Sequence, residues 1–192
     1  MFITHVFESI KITNDYKLYT LSQILYHAAP TIFSDKPSTI INFNNIENSF
    51  YAILPSVKLE LFKKYHLLSF ELLRKDNRCV ILFYKKDLLL NAFNNNINFL
   101  TAFGFDRNMK LSDVFSLLKQ KFSYRCPHEI GIFLGIPKED VMAFISNNIP
   151  CKFCGYWKVY YDVEQAKEIF LKYDEAKLIA INYIENSLIY SS

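Results

Sequence analysis

Apolar positions along the chain switch between two rhythms, and the switches mark out the elements. Leu18, Leu21, Ile24, Leu25 and Ala28 recur at helical spacing, which predicts an amphipathic helix that stops at Pro30. Polar sequence from Ser34 to Ser38 follows, then an apolar run, Thr39 to Phe43, that is a candidate strand. Asn42, Asn44, Asn45 and Asn48 make the next connection polar, and Pro55-Ser56 open a second helix facing inward through Val57, Leu61 and Tyr65. Leu68 to Leu73 and Cys79 to Tyr84 are apolar runs joined by Lys75-Asp76-Asn77-Arg78, a turn pattern that predicts an antiparallel hairpin over 68–85. The second run is apolar on both faces, which places it centrally in a sheet.

Helical patterning resumes from Asp87 to Phe103, with Asn94-Asn95-Asn96 as a break, and again from a Ser112 cap to Phe122. Pro127 opens a short helix over His128 to Leu134, ended by Gly135. Pro137 opens another that carries Glu139 and Asp140 at its positive end and runs to Ser146. Tyr156 to Tyr161 is aromatic and β-branched and predicts a strand. Asp162 with Gln165 forms a capping box for a last helix facing inward through Val163, Ala166, Ile169, Phe170 and Tyr173. The fold class expected is α+β: a small, mainly antiparallel sheet, built from the hairpin 68–85 and the strand 156–161 with 39–43 as a further member, packed with several helices. One domain over 1–177 is expected, with 178–192 as a helical extension or tail.

Composition narrows the classes. The chain of 192 residues is 51% hydrophobic and 21% charged, which is globular and large enough for a real core. A net charge of +3, with Arg74, Arg78, Arg107 and Arg125 the only arginines and the lysines scattered, does not form the basic stripe of a nucleic-acid binder. Aromatic residues reach 17% beside abundant Asn, Ile and Lys and few Gly, a skew read as codon usage, so most rings are assigned to the core. No apolar run approaches the roughly 18 residues of a membrane span, and the first residues lack a signal-peptide pattern. Four cysteines without a secretory signal point to a reducing compartment, hence an expected cytoplasmic location.

Chemistry concentrates in four places: His27 near Pro30-Thr31, Cys126-Pro127-His128-Glu129, the pair Cys151 and Cys154, and Gly155-Tyr156-Trp157-Lys158. Cys126, His128, Cys151 and Cys154 offer the ligand types of a tetrahedral Cys₃His zinc site. A zinc deaminase is rejected, since His128 and Glu129 are adjacent where that signature needs one residue between. The zinc-peptidase motif fails too, because Ile132 stands where its second His belongs. A redox dithiol at Cys151 and Cys154 would need a helix N-terminus rather than the strand predicted after Cys154. His128 at a helix start is biased toward neutral imidazole and, beside Glu129, suits general-base work or helix capping equally. Trp157 either packs in the core or offers a stacking platform. No Gly-rich phosphate loop is present among four glycines.

The run Pro127-His128-Glu129-Ile130-Gly131-Ile132-Phe133-Leu134-Gly135-Ile136-Pro137-Lys138-Glu139-Asp140-Val141, followed by Cys154-Gly155-Tyr156-Trp157-Lys158-Val159-Tyr160, resembles a family of anaerobic bacteria known as domain of unknown function 3793. His27-Ala28-Ala29-Pro30-Thr31 resembles that family's His-Cys-Ala-Pro-Thr element, and the likeness covers most of residues 20–177. Ala28 replaces the family's cysteine, and Cys126 stands where Phe is expected, so neither thiol is carried over. The association of members with flavodoxin-like and iron-related proteins implies a redox or cofactor-handling role and a flavodoxin-like redox partner; the cofactor stays unassigned, since no specific motif supports zinc or a flavin or haem-type group.

Three readings stay open. In the first, His27, His128, Glu129 and Cys154 act as catalytic groups around one pocket, with Thr31, Tyr156, Trp157 and Lys158 binding the ligand. In the second, the chain is a non-catalytic adaptor or small-ligand binding module. In the third, it is a structural zinc domain. The first requires the end of the first helix, the Pro127 helix and the Trp157 strand to meet at a common hollow.

Overall fold

The computed structural model describes residues 2–189. It opens with α1 (Phe2–Ile12), a helix that the apolar pattern had not singled out, followed by α2 (Tyr16–His27) and the short α3 (Ala29–Phe33). The Asp15 carboxylate caps α2 by accepting from Leu18 N at 2.8 Å. Pro30 begins α3 rather than a loop: it sits in the first turn, where its missing N–H has no partner to lose. β1 (Ser38–Phe43) leads to α4 (Asn48–Tyr65), which starts seven residues before Pro55. That proline stands inside the helix and forgoes one bond to the Tyr51 carbonyl, a loss offset by burial of Phe50, Leu54, Val57 and Leu61 on the same helix.

β2 (Leu68–Lys75) and β3 (Arg78–Tyr84) form the expected hairpin, with Asp76 at φ +49° in the turn. The sheet order is β1-β3-β2, antiparallel throughout, so the run that is apolar on both faces is central as its composition requires. Val80, Leu82 and Tyr84 pack with Phe93, Leu118 and Phe133 on one face. Cys79, Ile81 and Phe83 pack with Ile24, Val57 and Leu61 on the other. Helices therefore cover both faces of one small sheet.

The chain continues through α5 (Lys86–Asn95) and α6 (Ile97–Leu100), broken at Asn96 as expected, and α7 (Leu111–Phe122). Lys110, not Ser112, precedes α7, and the Asp113 carboxylate accepts from the Lys110 N–H at 3.0 Å. Two short helices, α8 (Ile130–Phe133) and α9 (Lys138–Ser146), precede β4 (Phe153–Cys154) and β5 (Lys158–Val159), and α10 (Val163–Ile189) closes the chain. The strand expected over 156–161 is thus only two residues long, and it pairs with β4 in a separate ribbon instead of joining the main sheet. The cause is local: Tyr160 and Tyr161 direct their N–H groups to the Asp140 carboxylate, so neither can extend a ladder.

Asp162 caps α10 through Gln165 N at 2.9 Å. The helix passes position 177 unbroken, and Ala176, Ala180 and Ile184 pack against Val6, Ile10, Leu25 and Ala29. Of the expected tail, residues 190–192 lie outside the described residues. Among the described residues, no helix is long and apolar enough to cross a membrane.

Candidate functional site

The two motif segments are fastened to each other by one carboxylate. Asp140, in the first turn of α9, is 3% exposed. Its Oδ2 accepts from Trp157 Nε1 at 2.8 Å, and its Oδ1 accepts from Tyr160 N at 2.8 Å and Tyr161 N at 3.2 Å. Trp157 is buried edge-on to Phe170, with centroids 4.4 Å apart. The motif glycines serve the same packing. A Cβ on Gly155 would stand 2.2 Å from Phe170 Cε2, and one on Gly131 would stand 2.8 Å from Val141 Cγ2. Gly135 takes φ +79° and lies against Pro37. Lys36 Nζ and Ser38 Oγ donate to the Leu134 and Phe133 carbonyls, both at 2.6 Å, which clips the start of β1 to the turn after α8. Burial lowers the Lys36 ammonium to about 8.

The residues expected to share a hollow are distributed over separate surroundings. His128 lies edge-on to Phe144 at 5.2 Å, and Lys158 Nζ sits 5.7 Å from the same ring. Glu129 is buried and ion-paired with Lys121, whose ammonium also donates to the Phe103 carbonyl at 2.7 Å. Thr31 is fully buried and shares a 2.8 Å hydrogen bond with Thr39, tying α3 to β1. Tyr156 donates to Asp174 Oδ1 at 2.7 Å, and Lys177 Nζ lies 4.6 Å from the Tyr156 ring and 5.4 Å from the Tyr26 ring. Burial, followed by Asp174, pushes the Tyr156 phenol well above its usual value. The end of α2 therefore meets the β4–β5 ribbon through Lys177, and His128 meets it through Phe144. These contacts fall on the two chain neighbours of buried Trp157. No hydrogen bond, ion pair or ring contact joins any two of His27, His128, Glu129 and Cys154 among the described residues.

The zinc expectation meets a geometric correction. Cys126, Cys151 and Cys154 are exposed, and no group of three or more His, Cys, Asp or Glu among the described residues is placed to hold a metal ion. Phe153–Cys154 is extended and paired with β5. Cys151 Sγ donates instead to the Phe153 carbonyl at 3.2 Å.

Two concavities remain. One is an open groove of about 650 Å³ along α10, lined by Phe153, Tyr156, Lys167, Phe170 and Lys177 among others. The other is a more enclosed cavity of about 490 Å³ between α1, α2, β1 and the start of α4, and His27 lines it. His27 is exposed at the cavity wall; partial desolvation, and then the charge of Lys177, push its imidazole below the usual 6.5. Around it, Gln23 Nε2 donates to the Tyr19 hydroxyl at 2.9 Å. Asn45 Oδ1 accepts from Asn77 Nδ2 at 3.3 Å. Asn42, in register with Val80, turns its side chain to the other face of the sheet, where its Oδ1 accepts from Arg78 Nε at 2.8 Å. The contacts at Gln23 and Asn45 each fix an amide and leave its other half unspent: the Nδ2 donor of Asn45, the Oε1 acceptor of Gln23 and the Tyr19 O–H.

Sequence reasoning took the Asn-rich stretch only as a polar connection and passed over Gln23. Part of that reading holds, because Asn45 sits at φ +54°, a conformation asparagine tolerates. Asn42 has no such backbone reason. An amide-rich run directly after an apolar strand was the available signal.

No curated protein and no solved structure matches the chain. The family described as "Protein of unknown function (DUF3793)" matches residues 24–191, a span that takes in both motif segments, the main hairpin and His27 but begins just after Gln23. With the match covering well over half of its length, the chain belongs to the DUF3793 family of proteins of unknown function.

Proposed function

We propose that this protein is a non-catalytic binding module that holds a small, uncharged polar ligand in the cavity between α2 and β1. The observation that carries this reading is the cavity itself, with His27 on its wall and the Gln23 and Asn45 amides, each engaged at one end, on its lining. A volume of about 490 Å³ falls in the usual range for small-molecule sites, roughly 300–1,000 Å³. Gln23 is half-buried and Asn45 exposed, so the free ends of their amides face water that a matching ligand would displace.

Catalysis needs a nucleophile, base or acid within reach of one reacting atom. Redox or cofactor handling through His27, His128, Glu129 and Cys154 would need those four on one ligand. Their separate partners favour recognition at His27 alone. The acids lining the cavity are Asp15 and Glu47, and Asp15 is occupied in capping α2.

The test is nuclear magnetic resonance of the ¹⁵N-labelled chain against a panel of uncharged metabolites. Shifts centred on the side chains of His27, Gln23 and Asn45 are expected, and substitution Gln23→Leu should diminish them. A panel that perturbs only the Tyr156–Lys177 groove, or nothing, overturns the reading.

A further inference from the structure

We infer that the open groove along α10 is a second binding site, independent of the His27 cavity, for a free α-amino acid with a large apolar side chain. The groove keeps two opposite charges beside an aromatic wall and does not pair them with each other. Asp174 and Lys177 both line it, three positions apart on α10, a spacing that allows an ion pair in a helix. Asp174 accepts instead from the Tyr156 hydroxyl through Oδ1, which leaves Oδ2 without a partner among the described residues. Lys177 turns its ammonium to the Tyr156 and Tyr26 rings, 4.6 and 5.4 Å away. No hydrogen bond or ion pair engages it among the described residues. Lys177 is half-buried, and burial holds its ammonium below the usual 10.5, with Asp174 acting the other way. An anionic group brought to Lys177 offsets that burial.

An apolar surface lies beside these charges. Phe153, 37% exposed, stacks with Phe170 at 6.1 Å, and Tyr156 lies 5.4 Å from the Phe170 ring. Leu171, 63% exposed, lines the same groove. A large apolar side chain laid over Phe153 and Leu171 takes both out of water. The second lysine of the groove is already committed, since Lys167 pairs with Glu164 at 2.9 Å.

Charge chooses the ligand class. A bare carboxylate at Lys177 meets Asp174 beside it, and a bare amine at Asp174 meets Lys177. A zwitterion carries ammonium and carboxylate on one carbon and answers both. The interior of a peptide offers neither charge, and a chain end offers only one. Asp174 is exposed, so its contact with the ligand replaces water.

Calorimetric titration of the full chain tests this, with phenylalanine as the probe. Hydrocinnamate lacks its ammonium, phenethylamine its carboxylate and glycine its side chain. Phenylalanine should saturate a single site, and each of the three should bind about tenfold or more weakly, a difference of roughly 1.4 kcal/mol. Lys177→Met and Asp174→Asn should each weaken phenylalanine by about tenfold, with thermal melts showing that both variants fold. Leu171→Ala, at an exposed position that does not endanger folding, should weaken it several-fold. Gln23→Leu, in the other cavity, should leave it unchanged. Hydrocinnamate or phenethylamine binding as tightly as phenylalanine overturns the inference, as does affinity unchanged in Lys177→Met or in Asp174→Asn. Loss of binding in Gln23→Leu places the ligand in the His27 cavity and overturns it too. Absence of binding by phenylalanine, tryptophan, leucine and methionine at millimolar concentration also overturns it. The reading of the His27 cavity is tested by uncharged compounds, so it stands or falls separately.

Discussion

The β4–β5 ribbon and the His27 cavity treat polar groups in opposite ways. At the ribbon, both Asp140 oxygens are taken, the Trp157 indole N–H is satisfied, and glycines stand where a single added carbon would strike Phe170 or Pro37. At the cavity, the Gln23 and Asn45 amides are held by one end and left open at the other. The ribbon carries the long recognisable motifs, yet those residues are explained by fastening. The cavity carries scattered residues that no motif gathers, and they retain hydrogen-bonding capacity. A segment can thus be distinctive because its packing is demanding, while the surface that meets a ligand is assembled from unremarkable positions.

Four expected outcomes sharpen this contrast, taken from the largest effect downward. Asp140→Ala should destabilise the fold by about 3 kcal/mol or more, since it strands three donors in a buried site. Urea unfolding followed by Trp157 emission measures it, and a loss under about 1 kcal/mol would break the view of the ribbon as a fastened unit. Gly155→Ala should cost about 2–3 kcal/mol through overpacking on Phe170, read in the same unfolding experiment.

A third outcome concerns pH. Burial, with Glu71 nearby, pushes the Cys79 thiol up to about 11 from 9.0. The folded chain therefore keeps a proton that the unfolded chain loses. The resulting stability is full below pH 9 and fades as pH rises toward 11, by about 1–2 kcal/mol. Tyr173, raised to about 12 by burial, adds to the slope, so the diagnostic is a shallower slope in Cys79→Ala. The smallest stability effect belongs to the cavity. Asn44→Ala, at an exposed position, should change stability by no more than about 0.5 kcal/mol in chemical denaturation. A large loss there would show that the cavity lining is scaffold after all.

Much of the fold was legible in the chain. The run Cys79–Tyr84 is apolar at every position, and only a strand covered on both faces needs that. The Asn94–Asn96 break and the Asp162 cap were readable because both act through neighbours in sequence. Pro55 misled because a proline usually opens a helix, and here packing of Phe50 and Leu54 ahead of it outweighs one lost backbone bond. The strand expected over 156–161 is cut to Lys158–Val159 for a reason no window could contain, an acceptor at Asp140 about twenty residues upstream.

The candidate site divides along the same line. Residue types determined by themselves that His27, His128, Glu129 and the cysteines were chemically capable, that helices and an antiparallel sheet would form, and that the family signature was present. Tertiary structure alone decided which capable groups remained free: Lys121 claimed Glu129, pairing with β5 held Cys154 in the extended β4, and α1, α2 and β1 enclosed the hollow around His27. Local propensity acts over a few residues and is written in order along the chain. Hydrogen-bond satisfaction and enclosure are settled between segments far apart in sequence, so they exist only once the chain has folded.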